Sequence, residues 1–406
     1  MANIRYSFMY LGLDDTDSPD GMCTTYLAAL IAEALEAGGC TVKNMRLIRL
    51  NPNVPWKTRG NAGVCIEFDG DMEFASQTAG EFIEKYGMFD CENTNPGFAV
   101  CAKKPAPDFY YQALREFCTV EEAKAVLDSV GAVYRGYKNE RGLIGALAAI
   151  CAELPDKTYE YLAYRKPEAF GTPRVFDAAS IRTSAEATFP HVWDTWDFSA
   201  DKPVCIPHGK DPVLFGIRGE SPEWVEKAVS YLKTEEVSRF VIWETNQGTD
   251  AHMLPFDGEF LEGRSYVFDG TVTTPPTTQR GGHVSFAVDG VVCYAFEPTK
   301  SFRSVVRELL EGDELTVFGS FQDGVIHVEK FCLRCPAKKE VRVSPRCPVC
   351  GGRMTSAGKG KGYKCRDCSG RVRELVYTKR TLSAGWYEVP PDARRHLAKP
   401  VCRILE

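Results

Sequence analysis

The 406-residue chain contains no uninterrupted apolar run of the roughly 18 residues that a membrane-spanning helix needs. Its longest candidate, Gly142 to Leu154, has the length of a core helix. An apolar stretch near the N-terminus lacks the basic region that opens a secretory leader. No G-x-x-x-x-G-K-[ST] run occurs, so a P-loop is excluded. Internal repeats and low-complexity tracts are missing, which excludes collagen-like chains and wholesale disorder. The six histidines stand alone, without metal-site clustering. These absences lead to an expectation of a soluble, untargeted, cytoplasmic protein with no membrane partner and no sign of an obligate protein partner.

Apolar residues make up 44% and charged residues 26%, an ordinary globular composition. The length leaves room for two to four domains at roughly 100–200 residues each. Charge is distributed unevenly: residues 331–406 hold 18 Lys and Arg against 6 Asp and Glu, a net of +12, whereas residues 1–330 carry −18. A basic tail on an acidic body points to a polyanionic partner. Among 16 cysteines, six form three C-x-x-C pairs, Cys332/Cys335, Cys347/Cys350 and Cys365/Cys368. The other ten are scattered, so a disulfide scaffold is excluded and a reducing compartment is expected.

The pattern predicts a buried strand over Arg5–Leu13, an acidic loop, and a helix from about Thr24 whose apolar positions Leu27, Leu30, Ile31, Ala34 and Leu35 share one face. Strands are predicted at Met45–Leu50 and Val64–Phe68, with helices at Phe74–Tyr86 and Val120–Ser129 and a small-residue helix opened by Arg141-Gly142. Further on, strands at Val213–Arg218 and Arg239–Thr245 flank a helix started by Ser221-Pro222. Strands at Tyr266–Val272, His283–Val288 and Val291–Phe296, a helix at Ser301–Leu310, and strands at Glu314–Gly319 and Val325–Glu329 follow the order of an OB-fold barrel. The turn Asp289-Gly290 is a type I′ hairpin signal.

Asp14, Asp15 and Asp17 put three carboxylates within four residues at the carboxyl end of the first strand, the edge where open α/β sheets bind ligands. Such a cluster repels itself unless a cation is present, and Mg²⁺ with nucleotide phosphates is the usual one; an Asp-rich turn is the plainer alternative. Thr24, at the helix start, suits either a cap or a phosphoryl acceptor. Lys57, Arg59 and Gly60, and again Arg141 and Gly142, offer cations and close backbone approach to phosphate. Cys347, Cys350, Cys365 and Cys368 have the spacing of a four-thiolate Zn²⁺ site, whereas Cys332/Cys335 has no evident place in it. Lys359, Lys361, Lys364 and Arg366, with Tyr363 among them, make that hairpin a candidate RNA-binding clamp.

The motifs Gly12-Leu13-Asp14-Asp15-Thr16-Asp17-Ser18, Gly21-Met22-Cys23-Thr24-Thr25, Lys57-Thr58-Arg59-Gly60-Asn61, Asn93-Thr94-Asn95-Pro96-Gly97, Arg141-Gly142-Leu143-Ile144-Gly145, Gly171-Thr172-Pro173-Arg174 and Thr245-Asn246-Gln247-Gly248-Thr249-Asp250-Ala251-His252 occur in this order. Together with the cysteine knuckle and Ser356–Gly362, they resemble the archaeal tRNA-isoleucine 2-agmatinylcytidine synthetases. The resemblance implies a multidomain α/β and α+β chain. Its parts would be an ATP-binding, kinase-like α/β catalytic domain (1–195, with room for intercalated ferredoxin-like elements), a ferredoxin-like domain (196–257), an OB-fold (258–330) and a zinc ribbon with a basic tail (331–406). It also implies an ATP-dependent ligase that phosphorylates the 2-oxo group of the wobble cytidine of a CAU-anticodon isoleucine tRNA. Agmatine then displaces the phosphate, ATP ending as AMP and phosphate products, and the tRNA reads AUA. Self-phosphorylation on the threonine matching Thr24 is implied as well. Dicationic agmatine needs carboxylates, for which Glu160 and Asp177 are candidates. Two other classes stay open: a non-catalytic RNA-binding protein, which needs no aspartate loop, and a small-molecule kinase, which needs no OB-fold or ribbon.

Overall fold

A computed structural model describes residues 8–57, 60–337, 340–373, 376–380 and 382–405, giving the backbone alone for 340–342 and 376–379. Thr58 and Arg59, and the first residues of the predicted opening strand, lie outside the described residues. The N-terminal part runs β1 (Phe8–Asp14), α1 (Thr24–Ala37), β2 (Thr41–Arg49), β3 (Ala62–Asp69), α2 (Met72–Tyr86), β4 (Gly97–Cys101), α3 (Asp108–Arg115), α4 (Val120–Ser129), β5 (Val133–Gly136) and α5 (Gly142–Cys151). Its strands lie in the order β5-β4-β1-β3-β2, every neighbouring pair antiparallel. This corrects the expectation of an open α/β edge. The aspartates do follow the carboxyl end of β1, but they sit beside the amino ends of β3 and β4, with Leu13 opposite Val64 and Asp14 opposite Gly97.

Alternation along β1 builds two cores. Met9, Leu11 and Leu13 face α1 and α2, while Gly12 faces α5. Helix α5 is apolar almost all round and nearly every residue of it is buried, as expected of a helix enclosed in the core. It lies against the sheet backbone to backbone: a Cβ on Gly12 would fall 2.2 Å from the Ala146 carbonyl oxygen, and one on Gly63 would fall 2.1 Å from that of Gly145.

A second unit follows: β6 (Thr158–Tyr164), α6 (Ala178–Thr188), β7 (Val192–Trp193), a short pair β8 (Trp196–Asp197) and β9 (Lys202–Pro203), β10 (Val213–Gly219), α7 (Pro222–Val229) and β11 (Arg239–Thr245). Ser221 caps α7 by accepting from the Trp224 amide, with Pro222 at the first helical position, as its sequence predicts. The strand order is β11-β6-β10-β7, and β11 pairs parallel to β2 through Glu244–Arg46 and Thr245–Leu47. One nine-stranded sheet results.

The barrel comprises β12 (Met253–Pro255), β13 (Ser265–Thr278), β14 (Val284–Val288), β15 (Val291–Ala295), α8 (Phe302–Val306), β16 (Glu314–Gln322) and β17 (Val325–Cys335). Pairing runs β13-β14-β15-β17-β16 and closes through β13–β16, the five-stranded OB arrangement. Asp289 and Gly290 both have positive φ, 46° and 83°, as a type I′ turn requires. The connecting helix is shorter than its apolar pattern predicts, ending at Val306.

Beyond the barrel lie β18 (Glu340–Val343), β19 (Met354–Ser356), β20 (Tyr363–Cys365), β21 (Arg371–Val372), β22 (Val376–Lys379) and β23 (Gly385–Glu388). Strands β19-β20-β21 form the ribbon, and β23 returns to the barrel beside β17. The end of the chain is not a free basic tail. Arg394 pairs with Asp194, Lys399 with Asp156, and Arg403 with Glu220 and Asp156, so much of its positive charge is neutralised on the acidic body.

Candidate active site and zinc-binding module

The aspartate loop is held from three sides. Asp15 takes a left-handed φ of 59°, and its amide donates to Asp14 Oδ1 at 2.6 Å. The Asn93–Gly97 turn supplies the Asn95 amide to Asp15 Oδ2 at 3.1 Å and the Thr94 hydroxyl to the Asp17 carbonyl at 2.5 Å. Helix α5 is tied to the same turn, since the Gly142 amide donates to the Asn95 carbonyl at 2.9 Å and Arg141 Nη2 to that of Asn93 at 3.2 Å. Arg141 Nη2 also stands 4.0 Å from Asp15 Oδ2.

Burial, with Asp15 and Asp17 nearby, pushes the Asp14 carboxyl well above its usual range. Asp15 is raised to about 6 by burial, against the opposing pull of Arg141 and the Asn95 amide. Three crowded carboxylates in one wall, Asp14 and Asp15 desolvated, form an all-oxygen donor set that a divalent cation would relieve, so the residues fit Mg²⁺.

Thr24 is not a helix cap. The cap position of α1 is Cys23, in extended conformation and without a side-chain capping bond. Buried in the loop, the Thr24 hydroxyl instead accepts from the Thr16 hydroxyl at 3.1 Å and the Thr16 amide at 3.4 Å.

A cavity of about 370 Å³ gathers Asp14, Asp15, Asp17, Thr24, Lys57, Gly60 and Arg141. Gly142 is absent from its lining. A Cβ there would fall 2.2 Å from the Gly97 amide nitrogen, so this glycine serves helix–sheet contact rather than phosphate approach. Arg59 lies outside the described residues.

The same cavity is walled by Arg49, Glu160, Arg218 and His396, of which sequence reasoning named only Glu160. Glu160 is fully engaged: Arg218 Nε donates at 3.0 Å, Gln247 Nε2 at 2.5 Å, and Arg49 stands 3.9 Å away. Burial works against its charge, but the two guanidiniums outweigh it and hold the carboxyl below its usual range. The Thr245–His252 motif therefore builds this wall, Asn246 also bonding the Arg49 backbone at 2.8 and 2.9 Å. Asp177 caps α6 by accepting from the Ala179 amide and does not line the cavity. No local signal marks Arg49, Arg218 or His396; they meet only through the β2–β11 junction and the returning chain end.

In the ribbon, Cys347, Cys350, Cys365 and Cys368 bring their sulfurs within 4.8 Å of one another. Amides of Val349, Asp367 and Gly370 approach Cys347, Cys365 and Cys368 Sγ at 3.4 Å, as in thiolate knuckles, and Gly351 takes a φ of +71°. The four soft donors fit tetrahedral Zn²⁺. Cys332 and Cys335 lie in β17, Cys332 opposite Thr316 and Trp386, apart from this cluster. Lys359, Lys361, Lys364 and Arg366 are exposed. Tyr363 is not: at 2% exposure it packs with Met354, Cys347 and Cys365, which overturns its reading as a base-stacking platform. Among the described residues no helix is long and apolar enough to cross a membrane.

An aspartate-lined cavity joined to an OB barrel and a four-cysteine ribbon defines a nucleotide-using, nucleic-acid-modifying enzyme. Family models place the TiaS TCKD domain at residues 10–89, the TiaS FLD domain at 140–252 and the TiaS C-terminal zinc ribbon domain at 344–382. The chain is 60% identical over 406 residues to the isoleucine-2 tRNA 2-agmatinylcytidine synthetase TiaS of Methanocorpusculum labreanum, covering 98% of each. It is 43% identical over 416 residues to that of Methanosarcina acetivorans, covering 97% of each. Among solved structures, the complex of TiaS with isoleucine-2 tRNA and ATP matches with a TM-score of 0.85 at 42% identity, over 98% of this chain and 97% of that one. The complex of TiaS with the same tRNA, AMPCPP and agmatine matches with a TM-score of 0.83 at 40% identity over the same shares. The chain belongs to the TiaS family of isoleucine-2 tRNA 2-agmatinylcytidine synthetases.

Proposed function

We propose that this chain joins agmatine to C2 of the wobble cytidine of CAU-anticodon isoleucine tRNA at the expense of ATP. The observation that carries the reading is full-length likeness to complexes named for isoleucine-2 tRNA, ATP and agmatine, in a chain whose cavity gathers the aspartates, Thr24, Lys57 and Arg141. Asp14, Asp15 and Asp17 would hold Mg²⁺, which supplies neutralisation of the triphosphate charge. Lys57, Arg59 and Arg141 offset charge developing on the transferred phosphoryl, and Gly60 offers its backbone to the phosphates. The cytidine 2-oxo group leaves poorly until phosphorylated, after which the agmatine nitrogen displaces phosphate. Thr24 is the self-phosphorylation site.

A wobble base must leave its stack to enter the cavity, at a cost of a few kcal/mol. The OB barrel and the ribbon cations Lys359, Lys361, Lys364 and Arg366 supply that through grip on the RNA backbone. Cys347, Cys350, Cys365 and Cys368 would hold the Zn²⁺ that organises the ribbon. With the separate β8–β9 pair set aside, the run β6-α6-β7-β10-α7-β11 supports a ferredoxin-like unit over 158–245, which begins before the expected 196–257. The part before it is then the kinase-like catalytic domain. A tRNA-modifying enzyme with thiolate chemistry belongs in the cytoplasm. Mass spectrometry of a CAU-anticodon isoleucine tRNA transcript, after incubation with the protein, ATP and agmatine, tests the reading; an unchanged cytidine mass rejects it.

A further inference from the structure

Arg49 closes β2 inside the cavity wall, its side chain only 14% exposed. Its backbone is fixed by Asn246, while its guanidinium holds Glu160 by charge alone, beyond hydrogen-bond distance. Glu160 stands at 3.9 Å from Arg49 Nη2, and among the described residues nothing accepts from Arg49 Nε; Nε is enclosed in the wall, so what Arg49 offers the cavity is its terminal nitrogens. Glu160 is already taken by Arg218 and Gln247. A buried guanidinium with unused donors is costly unless something polar completes it.

Two neighbours shape the space beside it. Gly60 has no side chain to intrude: a Cβ there would fall 2.9 Å from Arg49 Nη1 and 3.4–3.5 Å from the His396 ring. His396 also lines the cavity, on a segment pinned by Arg395, which donates to Asn53 Oδ1 at 2.8 Å and pairs with the barrel residue Glu329 at 3.2 Å. The wall thus joins Arg49, an imidazole, and a glycine whose missing side chain makes room for both.

We propose that Arg49, with His396 and the Gly60 backbone beside it, forms a phosphate subsite distinct from the aspartate wall. It takes either a phosphodiester flanking the unstacked nucleotide or a phosphoryl group of the triphosphate. Guanidinium forks match phosphate oxygens in two-point contact, whereas the crowded aspartates opposite repel an anion without a metal. Burial and the adjacent Arg218 bring Arg49 down to about 10 against the pull of Glu160, leaving it cationic at neutral pH. Burial, Arg49 and Arg218 hold His396 neutral. The subsite rests on the proposed tRNA reading for what brings the phosphate.

The test uses the full chain, wild type beside Arg49→Gln and Arg49→Lys, with inorganic phosphate titrated by calorimetry. Binding should weaken roughly tenfold or more in Arg49→Gln and less in Arg49→Lys. Two arms then separate the sources. An anticodon stem-loop with one uncharged methylphosphonate beside the wobble cytidine should bind wild type less tightly, and Arg49→Gln no less tightly, if the RNA supplies the phosphate. If the triphosphate supplies it, Arg49→Gln loses affinity for AMPCPP instead, and the methylphosphonate penalty persists in the variant. Equal phosphate, RNA and AMPCPP binding by all three proteins overturns the subsite. A wild type that leaves the tRNA unmodified overturns the functional reading separately.

Discussion

The hydroxyls of Thr16 and Thr24 lie 3.1 Å apart, and that contact joins the aspartate loop to the first residue of α1. It replaces the helix-capping role that Thr24's residue type suggests, because Cys23 holds the cap position. Thr24→Ala therefore loses a loop contact, costing about 1 kcal/mol, the net worth of a typical hydrogen bond. Labelling of the protein by γ-phosphate should vanish in Thr24→Ala and persist in Thr24→Ser. Cytidine modification, scored separately, should survive Thr24→Ala if self-phosphorylation is regulatory. Persistent protein label in Thr24→Ala would refute the acceptor assignment.

Gly145 tests whether Asp14 must sit where it does. A Cβ on Gly145 would fall 1.9 Å from Asp14 Oδ2, so Gly145→Ala has to displace either the carboxylate or helix α5. Overpacking of this kind costs about 1–3 kcal/mol. The variant should fold, melt lower, and lose both protein labelling and tRNA modification. Retained modification in a variant whose structure shows the Asp14 carboxylate displaced would show that Asp14 is no phosphate-site ligand.

The ribbon predicts a separation between metal and RNA effects. Cys350→Ser or Cys365→Ser should abolish stoichiometric zinc and weaken tRNA binding, while Cys332→Ser, altering a barrel strand, should keep zinc. Changing Lys359, Lys361 and Lys364 together to Ala should leave zinc in place. It should also flatten the salt dependence of tRNA binding by up to about one logarithmic slope unit per lysine. Tyr363→Ala should resemble the cysteine variants, because Tyr363 packs inside the ribbon. Zinc retained with RNA binding lost in Tyr363→Ala would restore its role as a base platform.

What was legible in the sequence was local. Strand, acidic loop and helix could be read because alternation, turn residues and a 3.6-residue face lie within one stretch. The barrel could be read from alternation and Asp289-Gly290, and the zinc site from two knuckles. The rest depends on contacts between distant segments. The stretch Thr158–Tyr164 gives no sign of its partners, yet β6 pairs with both β10 and β11 and brings Glu160 into the cavity. The basic residues of the chain end look free until Asp194, Asp156 and Glu220 are placed beside them. Tyr363 looked like a surface aromatic because its neighbours are lysines, but alternation in β20 turns the ring inward and Lys364 outward.

Asp15 carries the pH prediction. Its folded-state carboxyl sits at about 6 against 3.8 unfolded, so between those values the folded protein keeps a proton that the unfolded chain releases. Stability from this group therefore falls as pH rises through roughly 4 to 6, by at most about 3 kcal/mol. The whole-protein profile will not show this directly. Glu160, Glu244 and Glu329 have lowered pKa values and pull the other way, contributing stability that is lost as pH falls. The difference between wild type and Asp15→Asn isolates the effect, since asparagine can still accept from the Asn95 amide. Without metal or nucleotide, Asp15→Asn should be more stable than wild type at pH 7, and that advantage should shrink toward pH 4.5. Adding Mg²⁺ and AMPCPP should reverse the order at pH 7, because the ionised cluster binds the cation and the variant does so less well. Denaturant melts at the two pH values, with and without Mg²⁺–AMPCPP, provide the check. An Asp15→Asn advantage independent of pH, or equal stabilisation of both proteins by Mg²⁺–AMPCPP, would remove Asp15 from the cation site.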